Sequence, residues 1–179
     1  NQELPYRANR IIALIDRGTV TNEPDGSVKH WVMVVREDPL RVAHYMPVVT
    51  KDGKLGKTEN ERMKQAYESL PDALPQSVII ANMTSEEKIY WGIREYINRV
   101  ARQYAAAFAK KIYHGGTSLS NLQLDGGFLD YGTESYQPGY GKIRILLKHE
   151  DPAGEISILS KMLIKDFISS LRKNLPNKL

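Results

Sequence analysis

YHGGTSLSNLQLDGGFLDYGT, residues 113–133, decides how this chain is read. Asp125-Gly126 is a pair that closes tight hairpins, because the favoured turn needs positive φ angles that Gly adopts freely and Asp tolerates. A two-residue turn at that point sets Leu124 against Gly127, Gln123 against Phe128, Leu122 against Leu129 and Asn121 against Asp130. Directly opposed residues hold their Cβ atoms roughly 4.5–5.5 Å apart. The open end of the hairpin would then carry an amide oxygen beside a carboxylate. Hard oxygen donors so placed suit Mg²⁺ or Mn²⁺, ions that keep water and also take phosphate oxygens. A plain structural alternative stands beside this one: Asn and Asp at hairpin ends commonly bond local backbone.

The elements around the hairpin are legible from their periodicity. Upstream, Thr84 and Glu87 have capping-box spacing. Ile89, Ile93, Tyr96, Ile97, Val100, Tyr104, Phe108 and Ile112 then recur at helical intervals, a buried stripe on a helix that Gly115-Gly116 are expected to stop. Downstream, residues 151–176 begin with Asp151 as cap and Pro152 at the first helical position. There Ile156, Leu159, Leu163, Phe167, Leu171 and Leu175 form a second stripe. Residues 59–70 are helix-compatible up to Pro71, and 71–76 read as a linker. Near the N-terminus, RIIALID (10–16) and KHWVMVVR (29–36) are β-branched runs separated by TNEPDGS, a turn segment, so they predict an antiparallel pair. Strands first and long helices afterwards give an α+β class.

Composition narrows the function classes. The chain has 179 residues, 41% of them apolar and 26% charged, which fits one globular domain. No apolar run is long enough to span a membrane. There is no cysteine, which excludes disulfides and thiolate metal sites and makes the cytoplasm the expected location. The net charge of +4 is modest and its cations are interleaved with acids, a solvated surface rather than a nucleic-acid patch. Residues 1–10 lack both an initiator Met and the plan of a signal peptide, so the chain reads as a piece of a longer protein.

Other chemistries fit poorly. His-Gly-Gly matches the oxyanion loop of some esterases, but no G-x-S-x-G elbow supplies a nucleophile. GYGK (139–142) lacks the glycine spacing and the Ser or Thr of a phosphate loop. His30, His44, His114 and His149 show no zinc spacing.

A protein-kinase catalytic segment has a His-x-Asp, a later Asn, a short hairpin and Asp-Phe-Gly; here HGGTSLSN, LQLDGGFL and DYG stand in that order. The chain more closely resembles the selenoprotein O family, whose motif runs His-Gly, five residues, Asn, and then Asp-Tyr-Gly. Residues 10–46 and the long helix entering YHGG also resemble that family, up to Thr133. The resemblance implies a kinase-like fold: residues 1–48 as the last strands of a small lobe and a hinge, and 49–179 as a helical large lobe. It implies ATP and Mg²⁺ or Mn²⁺ as cofactors and transfer of AMP from ATP to protein hydroxyls. By the same resemblance Asn121 and Asp130 are the metal ligands, and His114 and Gly115 are structural parts of the catalytic loop. Arg36 and Arg41 resemble two arginines that reach the nucleotide phosphates, at shorter spacing than in the family. Ser120 stands where the family has an Asp suited to act as base, and a hydroxyl does not serve that role near neutral pH. The family's nucleotide-binding Lys and Glu would lie before residue 1.

A second reading is a non-catalytic, kinase-like subunit that binds a protein or peptide partner, as in the microcin-maturation proteins of bacterial peptide modification. Its expected docking surface is the aromatic-rich segment 130–142.

Overall fold

The structure is a computed structural model, and it describes residues 4–6, 8, 10–48, 56, 58–76, 82–110, 112–130, 135–136 and 152–174. The elements in chain order are β1 (Ile11–Asn22), β2 (Val28–Arg36), a 3₁₀ turn (Val42–Tyr45), α1 (Glu59–Ala73), α2 (Ser85–Ala109), β3 (Ile112–Tyr113), a second 3₁₀ turn (Leu119–Asn121), β4 (Ser135–Tyr136), α3 (Pro152–Met162), a π-helical turn (Leu163–Ile168) and α4 (Ser169–Asn174). The class is α+β as expected, with an antiparallel β1–β2 ribbon, a short β3–β4 pair and a helical body.

The helix α2 organises the body. Its start is the capping box read from the sequence: Thr84 Oγ1 accepts from the Glu87 amide at 3.2 Å, and Glu87 returns a carboxylate to the Thr84 amide at 2.9 Å. Ile89, Tyr96, Val100 and Tyr104 are buried as expected. Ile97 and Phe108 are exposed instead, and Gly92, Gln103 and Ala107 take the inward positions. Gln103 is buried because its amide works as a peptide group would. It accepts from the Tyr6 N–H at 3.0 Å and donates to the Tyr6 carbonyl at 3.1 Å, fixing the N-terminal segment to the helix. The helix ends at Ala109, with the Lys110 N–H bonded back to Ala106, before the glycine pair expected to stop it. Ile112 and Tyr113 follow as β3, so Gly115, at φ +74, serves the next loop.

α1 also departs from its expected end. It runs through Pro71 to Ala73, so part of the expected linker is helix. Pro71 brings no N–H for the usual bond four residues back, and the helix ends two residues later, at Ala73. Leu70 and Leu74 are both buried, and the Leu74 N–H still reaches the Leu70 carbonyl at 3.1 Å.

The C-terminal helical run buries Glu155, Leu159, Leu163, Phe167 and Leu171, a spacing of four throughout. Each such step overshoots the 3.6-residue α-helical turn by about 40°. The wider π turn at Leu163–Ile168 takes up that drift, so Phe167 and Leu171 still face the body. Ile156, expected on this stripe, is exposed. Asp151 and Leu175 lie outside the described residues.

Two polar ties hold the strand-to-helix connection. Tyr67 on α1 donates to the Tyr45 carbonyl at 3.2 Å and lies 3.0 Å from Ser170 Oγ on α4. Glu59 and Arg62 form an ion pair in which Arg62 also donates to the carbonyls of His44 and Met46, while Glu59 accepts from the Val48 amide. The Arg62 hydrogen bond, and then the Val48 amide, hold the Glu59 carboxyl down at about 2, from an ordinary value of 4.5. A folded pKa below the unfolded one adds stability above the unfolded value and loses it as pH falls through the folded one. Acid titration is therefore expected to loosen the 42–48 segment between pH 4.5 and about 2. In Glu59→Gln the denaturation midpoint should be lower at neutral pH and flatter across that window.

Candidate functional site

The site grows from the turn between β3 and the hairpin. Its fixed point is His114, which is 2% exposed. The His114 Nδ1 accepts the Gly116 N–H at 3.2 Å, so the ring proton sits on Nε2, which donates to the Leu129 carbonyl at 2.7 Å. The ring packs on Phe128 at 4.8 Å between centroids, and Phe128 meets Tyr104 of α2 edge-on at 4.7 Å. One buried imidazole thus ties the entry of the loop to the exit strand of the hairpin.

The hairpin itself is shifted by one residue from the expected pairing. Leu122 faces Phe128, the Gln123 N–H bonds the Gly127 carbonyl at 3.0 Å, and the Leu129 N–H bonds the Asn121 carbonyl at 2.8 Å. Asn121 therefore lies opposite Leu129, and Asp130 comes one residue later. The cause is the turn: the Gly126 N–H bonds the Gln123 carbonyl at 3.0 Å and Gly126 has φ +94, which makes a three-residue loop with a glycine in the left-handed region. Asp125 Oδ1 closes the same turn on the Gly127 amide at 3.0 Å.

Asn121 is nonetheless firmly placed. Its Nδ2 donates to the Gly116 carbonyl at 2.8 Å, so its Oδ1 is the atom a cation would meet. Asp130 is exposed, with φ +57, a conformation that Asp tolerates. Among the described residues no group of three His, Asp or Glu side chains converges as a metal site. Asn121 Oδ1 and the Asp130 carboxylate are hard donors of the kind Mg²⁺ uses when substrate phosphates complete its shell, so the donor chemistry fits.

A cleft of about 310 Å³ opens beside this loop, lined by Tyr113, Gly115, Gly116, Thr117, Asn121 and Glu155 among others. Glu155, from α3, is the residue that sequence reasoning missed. It is 5% exposed, and one carboxylate oxygen accepts from the Gly115 N–H at 3.2 Å and from the Thr117 hydroxyl. The signal was present, since Glu155 begins the four-residue stripe that continues with Leu159, an acid at a core position. Burial first, and then the Glu155 carboxylate, push the Tyr104 phenol up, with the Thr117 hydroxyl bond opposing them.

The other expected residues divide. Residues 40–42 dock along the hairpin as a short third strand: the Leu124 N–H bonds the Leu40 carbonyl at 2.8 Å, and the Val42 N–H bonds the Leu122 carbonyl at 3.2 Å. Arg41 is thereby carried to the loop, where its guanidinium donates to the Ser120 carbonyl at 3.4 Å. Arg36 stays on the ribbon, paired with Ile11, and exposed. Ser120 is exposed, with its Oγ 2.7 Å from Ser118 Oγ. Asp125 lines a different cleft, of about 450 Å³, with Glu37, Asp38 and Leu40. Tyr131 and Gly132, and with them most of the segment 130–142, lie outside the described residues. No helix among the described residues is long and apolar enough to cross a membrane.

No protein-family model, curated protein or solved structure matches the chain.

Proposed function

We propose that the loop and hairpin from His114 to Asp130 form a metal-dependent nucleotide site on a kinase-like, selenoprotein O-like large lobe. The observation that carries this reading is the clamp at His114. A buried imidazole fastens the loop start to the Leu129 carbonyl, immediately before Asp130, while the same loop fixes the Asn121 amide through Gly116. Asn121 thus lines the cleft, and Asp130 follows Leu129 at the hairpin exit.

Asn121 and Asp130 would hold Mg²⁺ or Mn²⁺, which when bound offsets the charge of the ATP phosphates. Arg41 is placed at the loop and brings a guanidinium suited to forked contact with phosphate. His114, Gly115 and Glu155 keep the loop in shape. Glu155 does so as a buried carboxylate that uses one oxygen for two loop donors. The activity proposed is transfer of AMP from ATP to a protein hydroxyl. Ser120 brings no base, and Glu155 is a carboxylate that lines the cleft with Asn121.

The second reading, a non-catalytic subunit that binds a protein or peptide as in microcin-type maturation, is favoured by a different observation. On β1 and β2 every residue is exposed, including Ile11, Ile12, Leu14, Ile15, Trp31, Val32, Met33 and Val34. A two-stranded ribbon apolar on both faces is a surface made for cover by another polypeptide.

ATP labelled on the α- or the γ-phosphate separates the readings. Incubation of the chain and an acceptor protein with Mn²⁺ should leave α-label on protein and no γ-label. γ-Label on protein would replace nucleotidyl by phosphoryl transfer. Nucleotide binding with neither label transferred would favour the non-catalytic subunit.

A further inference from the structure

Glu155 is a buried carboxylate with no cation beside it. It is 5% exposed, and its Oε1 accepts from the Gly115 N–H at 3.2 Å and from the Thr117 hydroxyl. Among the described residues no Lys, Arg or His lines the cleft with it, and none forms an ion pair with it. A carboxylate taken out of water is ordinarily paired with a charge, because neutral donors replace only part of its hydration. Its second oxygen, Oε2, has no donor among the described residues.

The donors of the loop are already spent. The Gly115 N–H and the Thr117 hydroxyl go to Glu155, the Gly116 N–H goes to His114 Nδ1, and Asn121 Nδ2 goes to the Gly116 carbonyl. What these groups still offer are acceptors, Glu155 Oε2 and Asn121 Oδ1. A bare anion finds none of those donors free and meets a like charge. Lys and Arg side chains carry donors only, with a positive charge, and so answer both needs. Ile158 and Tyr113 add apolar surface to the cleft, which suits the aliphatic stem of such a side chain. The volume, about 310 Å³, lies at the small end of ligand clefts.

We propose that the cleft between the loop and α3 seats a Lys or Arg side chain of the acceptor polypeptide, with the Glu155 carboxylate as its anchor. Asn121 borders both this cleft and the proposed metal site, so the hydroxyl selected would be one with a basic residue close to it in sequence. The inference rests on the reading that the substrate is a protein hydroxyl.

The test uses fluorescent peptides that differ at one position beside a Ser: Arg, citrulline (the same shape with a neutral urea) or Glu. Binding is read by anisotropy without nucleotide. The Arg peptide should bind about tenfold more tightly than the citrulline peptide, and the Glu peptide should bind most weakly. Glu155→Gln keeps an oxygen for Gly115 and Thr117, so it should remove the Arg preference and leave citrulline binding as it was. Asp38→Asn, in the other cleft, should keep the preference. Equal binding of the Arg and citrulline peptides to the unaltered chain would overturn the proposal. So would an Arg preference that Glu155→Gln retains or that Asp38→Asn removes. Displacement of the Arg peptide by Mg²⁺, but not by NaCl at equal ionic strength, would make a metal ion the occupant and overturn it. Arginine amide binding as tightly as the peptide would make the cleft a site for small cations and overturn the polypeptide. Transfer from α-labelled ATP is read separately. An Arg preference in binding with no α-label on any peptide would refute nucleotidyl transfer and leave the basic side chain as the occupant of the cleft.

Discussion

Gly126→Ala should lower the stability of the body by about 2–5 kcal/mol, from the cost of a left-handed backbone for a residue with a Cβ and from overpacking. A Cβ at Gly126 would stand 2.6 Å from Arg99 Cβ, 3.2 Å from the Arg99 carbonyl carbon and 3.4 Å from the Tyr6 ring. Two of those neighbours belong to the framework of α2 and cannot swing aside. Tyr6 is itself pinned, by Gln103 and by the Arg99 guanidinium 5.4 Å from its ring. The hairpin would have to lift from α2, and the Leu129 carbonyl would leave His114. Gly26→Ala is the natural control, since it too has positive φ, at +82, but meets nothing within 4 Å. Chemical denaturation of both variants measures the difference. A Gly126→Ala cost no greater than that of Gly26→Ala would mean that the hairpin does not rest on α2 as described.

Phe167→Ala should cost about 3–5 kcal/mol, the range for emptying a fully buried phenylalanine site. Phe167 is 0% exposed and meets Tyr96 edge-on at 6.0 Å, with the rings 79° apart. It lies in the π turn and is one contact by which the C-terminal helices meet α2. Ile156→Ala, one turn into α3 and exposed, should change stability by less than about 0.5 kcal/mol. Sequence periodicity placed both residues on one stripe, so comparing their denaturation midpoints tests the four-residue spacing directly. Similar losses for the two variants would return Ile156 to the core and remove the need for the π turn.

What the sequence made legible was local. Thr84 and Glu87 form their capping box because both partners lie within four residues, and the β1–β2 pair follows from β-branched runs around a Pro-Asp-Gly turn. The hairpin was legible as a hairpin but not in register. Gly126 and Gly127 stand side by side, so either a two-residue or a three-residue loop satisfies the local chemistry, and the packing of Gly126 on Arg99 lies far outside the turn. A slip of one residue moved Asn121 from opposite Asp130 to opposite Leu129. Glu155 escaped notice for a similar reason. Its partners Gly115 and Thr117 are remote in sequence, and a helical period of 3.6 selects Ile156, whereas the π turn makes the true spacing four. The Arg41 placement depended on residues 40–42 joining the hairpin as a strand, a long-range pairing with no local signature.

The central claim is that Asn121 and Asp130 hold a metal–nucleotide complex. Its most direct test is the thermal stability of the chain titrated with ATP in the presence and absence of Mg²⁺ or Mn²⁺, with Asp130→Ala and Asn121→Ala run beside it. Saturation near a hundred times Kd adds about 2.7 kcal/mol. A rise in Tm that needs both metal and nucleotide, and that each substitution abolishes, is the predicted result. No rise at millimolar ATP with either metal, or an equal rise in Asp130→Ala, would contradict it.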